Sequence, residues 1–171
     1  IFHICLLMDA KAGTLTRDEI SEQSQWDLSG LYLSDKEWMR ELKALESELA
    51  GYASFQGTLA QSSATLKACI EFDMNFSRKL EKLYTFAHLK NDEDKTNSLY
   101  QGNFEKAMRL LNEASSASSF IRPEIMAIPE DKMTQFLEDK GIEFYKFHLE
   151  QILRYRKHTL SDKEEKLLAA S

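Results

Sequence analysis

From Ser62 the chain reads Ser62-Ser63-Ala64-Thr65-Leu66-Lys67-Ala68-Cys69-Ile70-Glu71-Phe72-Asp73-Met74-Asn75-Phe76-Ser77-Arg78-Lys79-Leu80-Glu81-Lys82-Leu83-Tyr84-Thr85-Phe86-Ala87-His88-Leu89-Lys90. No glycine or proline interrupts it. Leu66, Cys69, Ile70, Phe76, Leu80, Leu83, Tyr84 and Ala87 recur at helical spacing, and Ser62 or Ser63 offers a side-chain oxygen for the exposed amides of a first turn. At 1.5 Å per residue this predicts a rod of about 40 Å, the longest element of the chain.

Working outward, Asn91 to Asp94 reads as a turn whose carboxylates suit the positive N-terminus of a following helix. That helix is expected over roughly Lys95 to Phe120, with Leu99, Ala107, Leu110, Leu111 and Ala114 on its apolar face and a serine-rich tail. Upstream, Ser34-Asp35-Lys36-Glu37 has the form of a capping box. Trp38, Leu42, Leu45 and Leu49 then mark a helix that stops at Gly51. Pro123 and Pro129 punctuate the chain beyond, and shorter helices are expected over Glu130 to Glu138 and Ile142 to Arg156. Ser161-Asp162-Lys163-Glu164 is a second capping box, opening a helix toward Leu167, Leu168 and Ala170. Residues 1–33 lack sustained periodicity, and the polar stretch Thr14 to Gln25 reads as part of an extended lead-in.

Composition agrees. Among 171 residues there are only six glycines and two prolines, and neither Asn-Gly nor Asp-Gly occurs, so a many-stranded sheet protein has too few turn residues. The expected class is all-α, an antiparallel bundle of long helices. With 43% hydrophobic residues the chain can bury a core, and its net charge of −6 speaks against nucleic acid as a partner. No apolar run is long enough to span a membrane, and Ile1 to Met8 lacks the basic start and small-residue cleavage site of a signal peptide. Cys5 and Cys69 have no metal-type spacing and suit a reducing cytoplasm.

The chemistry-bearing residues form no active site. None of His3, His88, His148 and His158 belongs to a His-Glu-x-x-His pair, and His88 with Asp92, or His148 with Glu150, supplies two groups where zinc takes three or four. Neighbouring acids such as Glu93-Asp94 and Glu164-Glu165 point to different helical faces and read as solvated charge. Asp92-Glu93-Asp94 lacks the glycine and distal glutamate of a calcium loop. No glycine-rich phosphate loop and no Gly-x-Ser-x-Gly elbow occurs. The basic cluster Arg154-Tyr155-Arg156-Lys157-His158 reads as cations at a helix C-terminus. The aromatic helix before it, with Phe144, Tyr145, Phe147 and Leu149, is expected to be buried among neighbours. No catalytic, cofactor-binding or metal-ligating residue is therefore assigned within the chain.

A set of short motifs runs along most of the sequence: Trp26-Asp27-Leu28 with Leu31-Tyr32, Phe55-Gln56-Gly57 with Leu59, and Leu83-Tyr84-Thr85-Phe86-Ala87 running into Asp92-Glu93-Asp94. Further on come Phe120 with Pro123-Glu124-Ile125, then Tyr145 and Leu149 to Leu153 leading into His158-Thr159-Leu160-Ser161. In this order they resemble the N-terminal region of oligoendopeptidase F, in the thimet-oligopeptidase-like family of zinc peptidases. One departure is Thr58 after Gly57, where the family pattern has lysine.

The resemblance implies a larger, mostly α-helical enzyme hydrolysing short peptides in a deep channel. Its zinc would sit on His-Glu-x-x-His and a further glutamate, polarising the scissile carbonyl and activating water with the motif glutamate as base. All of these lie outside this segment, which would supply a wall of the channel and be inactive alone. The implied organisation is a lead-in over 1–25, an N-terminal helical domain over 26–160, and over 161–171 the start of a helix continuing into the catalytic domain. The other reading is a self-standing helical interaction module, with self-association through its Leu167/Leu168 end.

Overall fold

The computed structural model describes residues 20–158, all of whose regular structure is helical. Six α-helices follow in order: α1 (Asp35–Glu48), α2 (Ser63–Glu93), α3 (Ser98–Ser118), α4 (Ile121–Ala127), α5 (Glu130–Glu138) and α6 (Lys146–Arg154). Short 3-10 turns lie at Glu22–Ser24, Leu49–Ser54, Lys140–Tyr145 and Tyr155–His158. The expected all-α class holds, with three long helices and three short ones. The capping box at Ser161 and the lead-in before Ile20 lie outside the described residues.

The caps do what their chemistry allows. Ser34 accepts the Glu37 amide at 3.3 Å, while the Glu37 carboxylate accepts the Leu33 amide at 3.2 Å, one residue before the partner a reciprocal box would use. Ser62 is the cap of α2, its hydroxyl accepting the Thr65 amide. The expected turn at Asn91 to Asp94 is displaced. Nothing at Asn91, Asp92 or Glu93 breaks a helix, so α2 runs through them and ends where Asp94 turns extended (φ −147°) and accepts the Thr96 amide and hydroxyl. Asn97 then caps α3 through the Leu99 and Tyr100 amides.

Helix α4 has no counterpart in the periodicity, because Pro123 falls inside it. It sits in the first turn, where a missing N–H costs no intrahelical bond. The segment expected as one helix over Ile142 to Arg156 is instead a 3-10 turn, then α6, then another 3-10 turn.

Two apolar clusters share α2. The first joins α1, the C-terminal half of α2 and α3, with Trp38, Leu45, Phe76, Leu83 and Leu110 buried. Trp38 is 0% exposed, and its indole N–H donates to the Leu83 carbonyl at 2.8 Å, so the buried polar atom is satisfied. All three helices are antiparallel to their sequence neighbours: Tyr84 and His88 near the end of α2 meet Phe104 near the start of α3. At the other end Lys79 reaches back to Glu48 at 2.8 Å. The second cluster joins the N-terminal half of α2 to α4, α5 and α6 through Leu66, Cys69, Ile70, Ile125, Phe136, Ile142 and Leu149. Phe72 lies between the two, against Tyr52, Phe55 and Phe76. Gly51 faces that ring: a Cβ there would lie 2.7 Å from Phe72 Cζ.

Candidate functional site

The groups singled out by residue type are separately engaged. His88 Nδ1 lies 3.4 Å from Asp92 Oδ2, and its ring stacks on Tyr84 with centroids 5.5 Å apart. Asp92 also takes an ion pair from Lys95, whose hydrogen bond is the main cause that holds its carboxyl below the usual range. His148 is exposed on α6. Cys69 is buried in the second cluster with its thiol pushed up to about 12, first by burial and then by the charges of Asp73 and Glu124. Such a thiol is a poor nucleophile at neutral pH. Among the described residues, no three His, Cys, Asp or Glu side chains converge as metal ligands would, and no helix is long and apolar enough to cross a membrane.

The basic cluster works differently from a set of cations on their own helix end. Arg156 donates to the carbonyls of Ile128 at 2.8 Å and Ile125 at 3.5 Å, closing the C-terminus of α4. Arg122 lies over the Tyr155 ring at 4.6 Å. The end of α6 is thereby fastened to the helix that periodicity did not show.

Two polar links tie the second cluster to the start of α2. Gly57, with φ +77° in the left-handed region, donates its N–H to Glu124 Oε1 at 2.6 Å. Asp139 accepts the Ser63 hydroxyl and, at 2.8 Å, the Gly141 amide; these bonds hold its carboxyl below the usual range.

The aromatic segment is not buried as expected. Ile142 and Leu149 face the core, and the Tyr145 hydroxyl donates to Glu71 on α2 at 3.1 Å. Phe144 and Phe147, however, are 87% and 68% exposed, and Tyr155 is 57% exposed. The helical repeat has more apolar residues than one buried face can take. Among the clefts of the described residues, two are lined mainly by apolar side chains of the helices. One of 360 Å³ lies between α2 and α3, lined by Tyr52, Leu80, Tyr84, Leu111 and Ala114. A second, of 310 Å³, is lined by Met133, Leu137 and Leu153 with Glu130 and Arg156.

Comparison with known proteins gives this arrangement a relation. The family model described as Oligopeptidase F matches residues 124–171. The chain is 36% identical to Oligopeptidase PepF of Bacillus subtilis over 97% of its own length and 25% of that protein's. Against Group B oligopeptidase PepB of Streptococcus agalactiae it is 35% identical over 91% of its length and 26% of the relative's. The fold superposes on the crystal structure of a putative peptidase from Chlamydophila abortus with a TM-score of 0.81 at 31% identity, covering 91% of this chain and 26% of that one. On oligoendopeptidase-F from Enterococcus faecium the TM-score is 0.66 at 36% identity, covering 80% and 27%.

Over nearly its whole length the chain is thus similar to part of these oligopeptidases. It spans about a quarter of the length of the curated relatives it matches. Two of the motifs that carry the oligoendopeptidase F resemblance, Phe55-Gln56-Gly57 and Pro123-Glu124-Ile125, are joined in space by the Gly57–Glu124 bond. Sequence spacing could not have signalled that link. The family-model match takes in α5, the 3-10 turn at Lys140–Tyr145 and α6, and the last two carry the exposed Phe144 and Phe147.

Proposed function

We propose that this chain is the N-terminal helical domain of a zinc metalloendopeptidase of the oligoendopeptidase F type, an enzyme that hydrolyses short peptides. It forms a wall of the substrate channel and is inactive alone, with the catalytic zinc bound outside this segment. The observation that carries this reading is agreement over nearly the whole chain with oligopeptidases four times its length. Rigid α-helical rods suit a channel wall, since all their backbone groups but those at the ends are internally satisfied.

No three ligand-type side chains converge among the described residues, so no step of hydrolysis is assigned to them. The free, buried thiol of Cys69 suits a reducing cytoplasm, where we place the enzyme. A second reading, a helical module that binds a protein partner, draws on the exposure of Phe144 and Phe147.

The test is the full-length protein encoded by the reading frame that contains this chain. It is expected to hold His-Glu-x-x-His downstream, to hydrolyse a short internally quenched peptide, to lose that activity to a chelator and to regain it with zinc. A frame without the motif, or hydrolysis indifferent to chelation, would overturn the proposal.

A further inference from the structure

The apolar side chains of the 3-10 turn at Lys140–Tyr145 and of α6 divide into two sets. Ile142 and Leu149 are fully buried against α2, α4 and α5. Phe144 and Phe147 stand in water, three positions apart across the junction of the 3-10 turn with α6, a spacing that sets both rings on one side. The Phe144 ring packs edge-on against Tyr145, with centroids 5.1 Å apart, and Tyr145 is tied to Glu71, so the patch rests on a fixed base. Trp26 and Leu33 are also exposed, but they line a cleft together with Tyr32, Asp35 and Lys90, while Met74 and Leu99 lie on α2 and α3. Exposed aromatic side chains on one face are characteristic of interfaces.

We propose that the Phe144/Phe147 face is where the N-terminal domain docks onto the remainder of the peptidase chain. This rests on the oligoendopeptidase reading above. The occupant follows from the chain lengths: about three quarters of each relative has no counterpart here, and that polypeptide needs a seat on this domain. The exposure of Phe144 and Phe147 supplies the location, and both lie within residues 124–171, which the family model matches. Covalent linkage makes the association intramolecular, so a small aromatic patch can hold it at an effective concentration set by the connecting chain.

The experiment places Phe144→Ser and Phe147→Ser together in the full-length peptidase and, separately, in the 171-residue chain. In the full-length protein the double variant is expected to be cut by a nonspecific protease between this domain and the remainder about tenfold or more faster than the wild type, because such cleavage follows the population of the undocked form. In the 171-residue chain the same variant keeps the wild-type melting temperature, since neither ring is packed in the core.

If the full-length wild type hydrolyses peptide but the double variant is cut no faster, the docking inference fails and the peptidase reading stands. If the full-length wild type hydrolyses nothing, the peptidase reading itself fails. A 171-residue chain that sediments as a dimer and becomes a monomer on Phe147→Ser would assign the face to a second copy and overturn the proposal.

Discussion

The two ends of α2 solve the same problem differently. Around its C-terminal half, α1 and α3 lie antiparallel to it, and their apolar stripes meet in one cluster built from long, regular helices. Around its N-terminal half, three short helices and a 3-10 turn close a second cluster, and two phenylalanines are left outside it. Long helices can set a full stripe against a partner, whereas short segments turn too soon to bury every apolar residue they carry. The first region buries its aromatic rings and leaves in water only single apolar side chains such as Leu99 on α3, expected on the apolar face, beside an open cleft. The second combines core with a surface on which two phenylalanines stand three residues apart, and the family-model match covers its α5 and α6.

The comparison breaks first at Trp38. Trp38→Ala removes a fully buried indole and its bond to Leu83, and is expected to cost about 3–5 kcal/mol in urea unfolding, a large part of the stability of an ordinary domain. Leu149→Ala in the second cluster should cost about 2–5 kcal/mol. Because both clusters share the one helix, each variant should shift a single transition; two separate transitions would mean that the halves of α2 unfold independently.

A third effect is in pH. An unfolded thiol ionises near 9.0 and the folded Cys69 near 12, so between these values the unfolded chain gives up a proton that the native one keeps. The contribution of Cys69 to stability is full below pH 9 and declines as pH rises through that window. A Cys69→Ala variant should lose this part of the alkaline decline, as read from urea titrations at pH 8 and 10.

Glu124→Gln replaces the charged acceptor of the Gly57 amide and should cost about 0.5–1 kcal/mol, the small value fitting a bond near the surface. The smallest change is expected from Phe144→Ser with Phe147→Ser in the 171-residue chain, within about 0.5 kcal/mol of the wild type. A large loss there would show that the second region is as closed as the first.

The long helices were legible because their signals are local: a cap oxygen at Ser34 or Ser62 acts within three residues, and the stripe from Leu66 to Ala87 repeats along one rod. Helix α4 was hidden because a proline in a first turn looks the same in sequence as a proline that ends a helix. The α2 boundary moved because Asn91, Asp92 and Glu93 are as compatible with a last helical turn as with a loop. Periodicity around Phe144 and Phe147 records that residues are apolar and cannot tell burial inside a domain from readiness to bury against another. The Gly57–Glu124 and Arg156–Ile128 links are tertiary, and no local pattern encodes them.

The proposed function puts the peptidase chemistry on residues outside this chain. Its most direct measurement sets the full-length protein beside the 171-residue chain, at equal concentration with zinc present, and records the initial rate of cleavage of one short internally quenched peptide. The account predicts turnover by the full-length protein and none by the 171-residue chain. Turnover by the 171-residue chain, or none by the full-length protein, would contradict it.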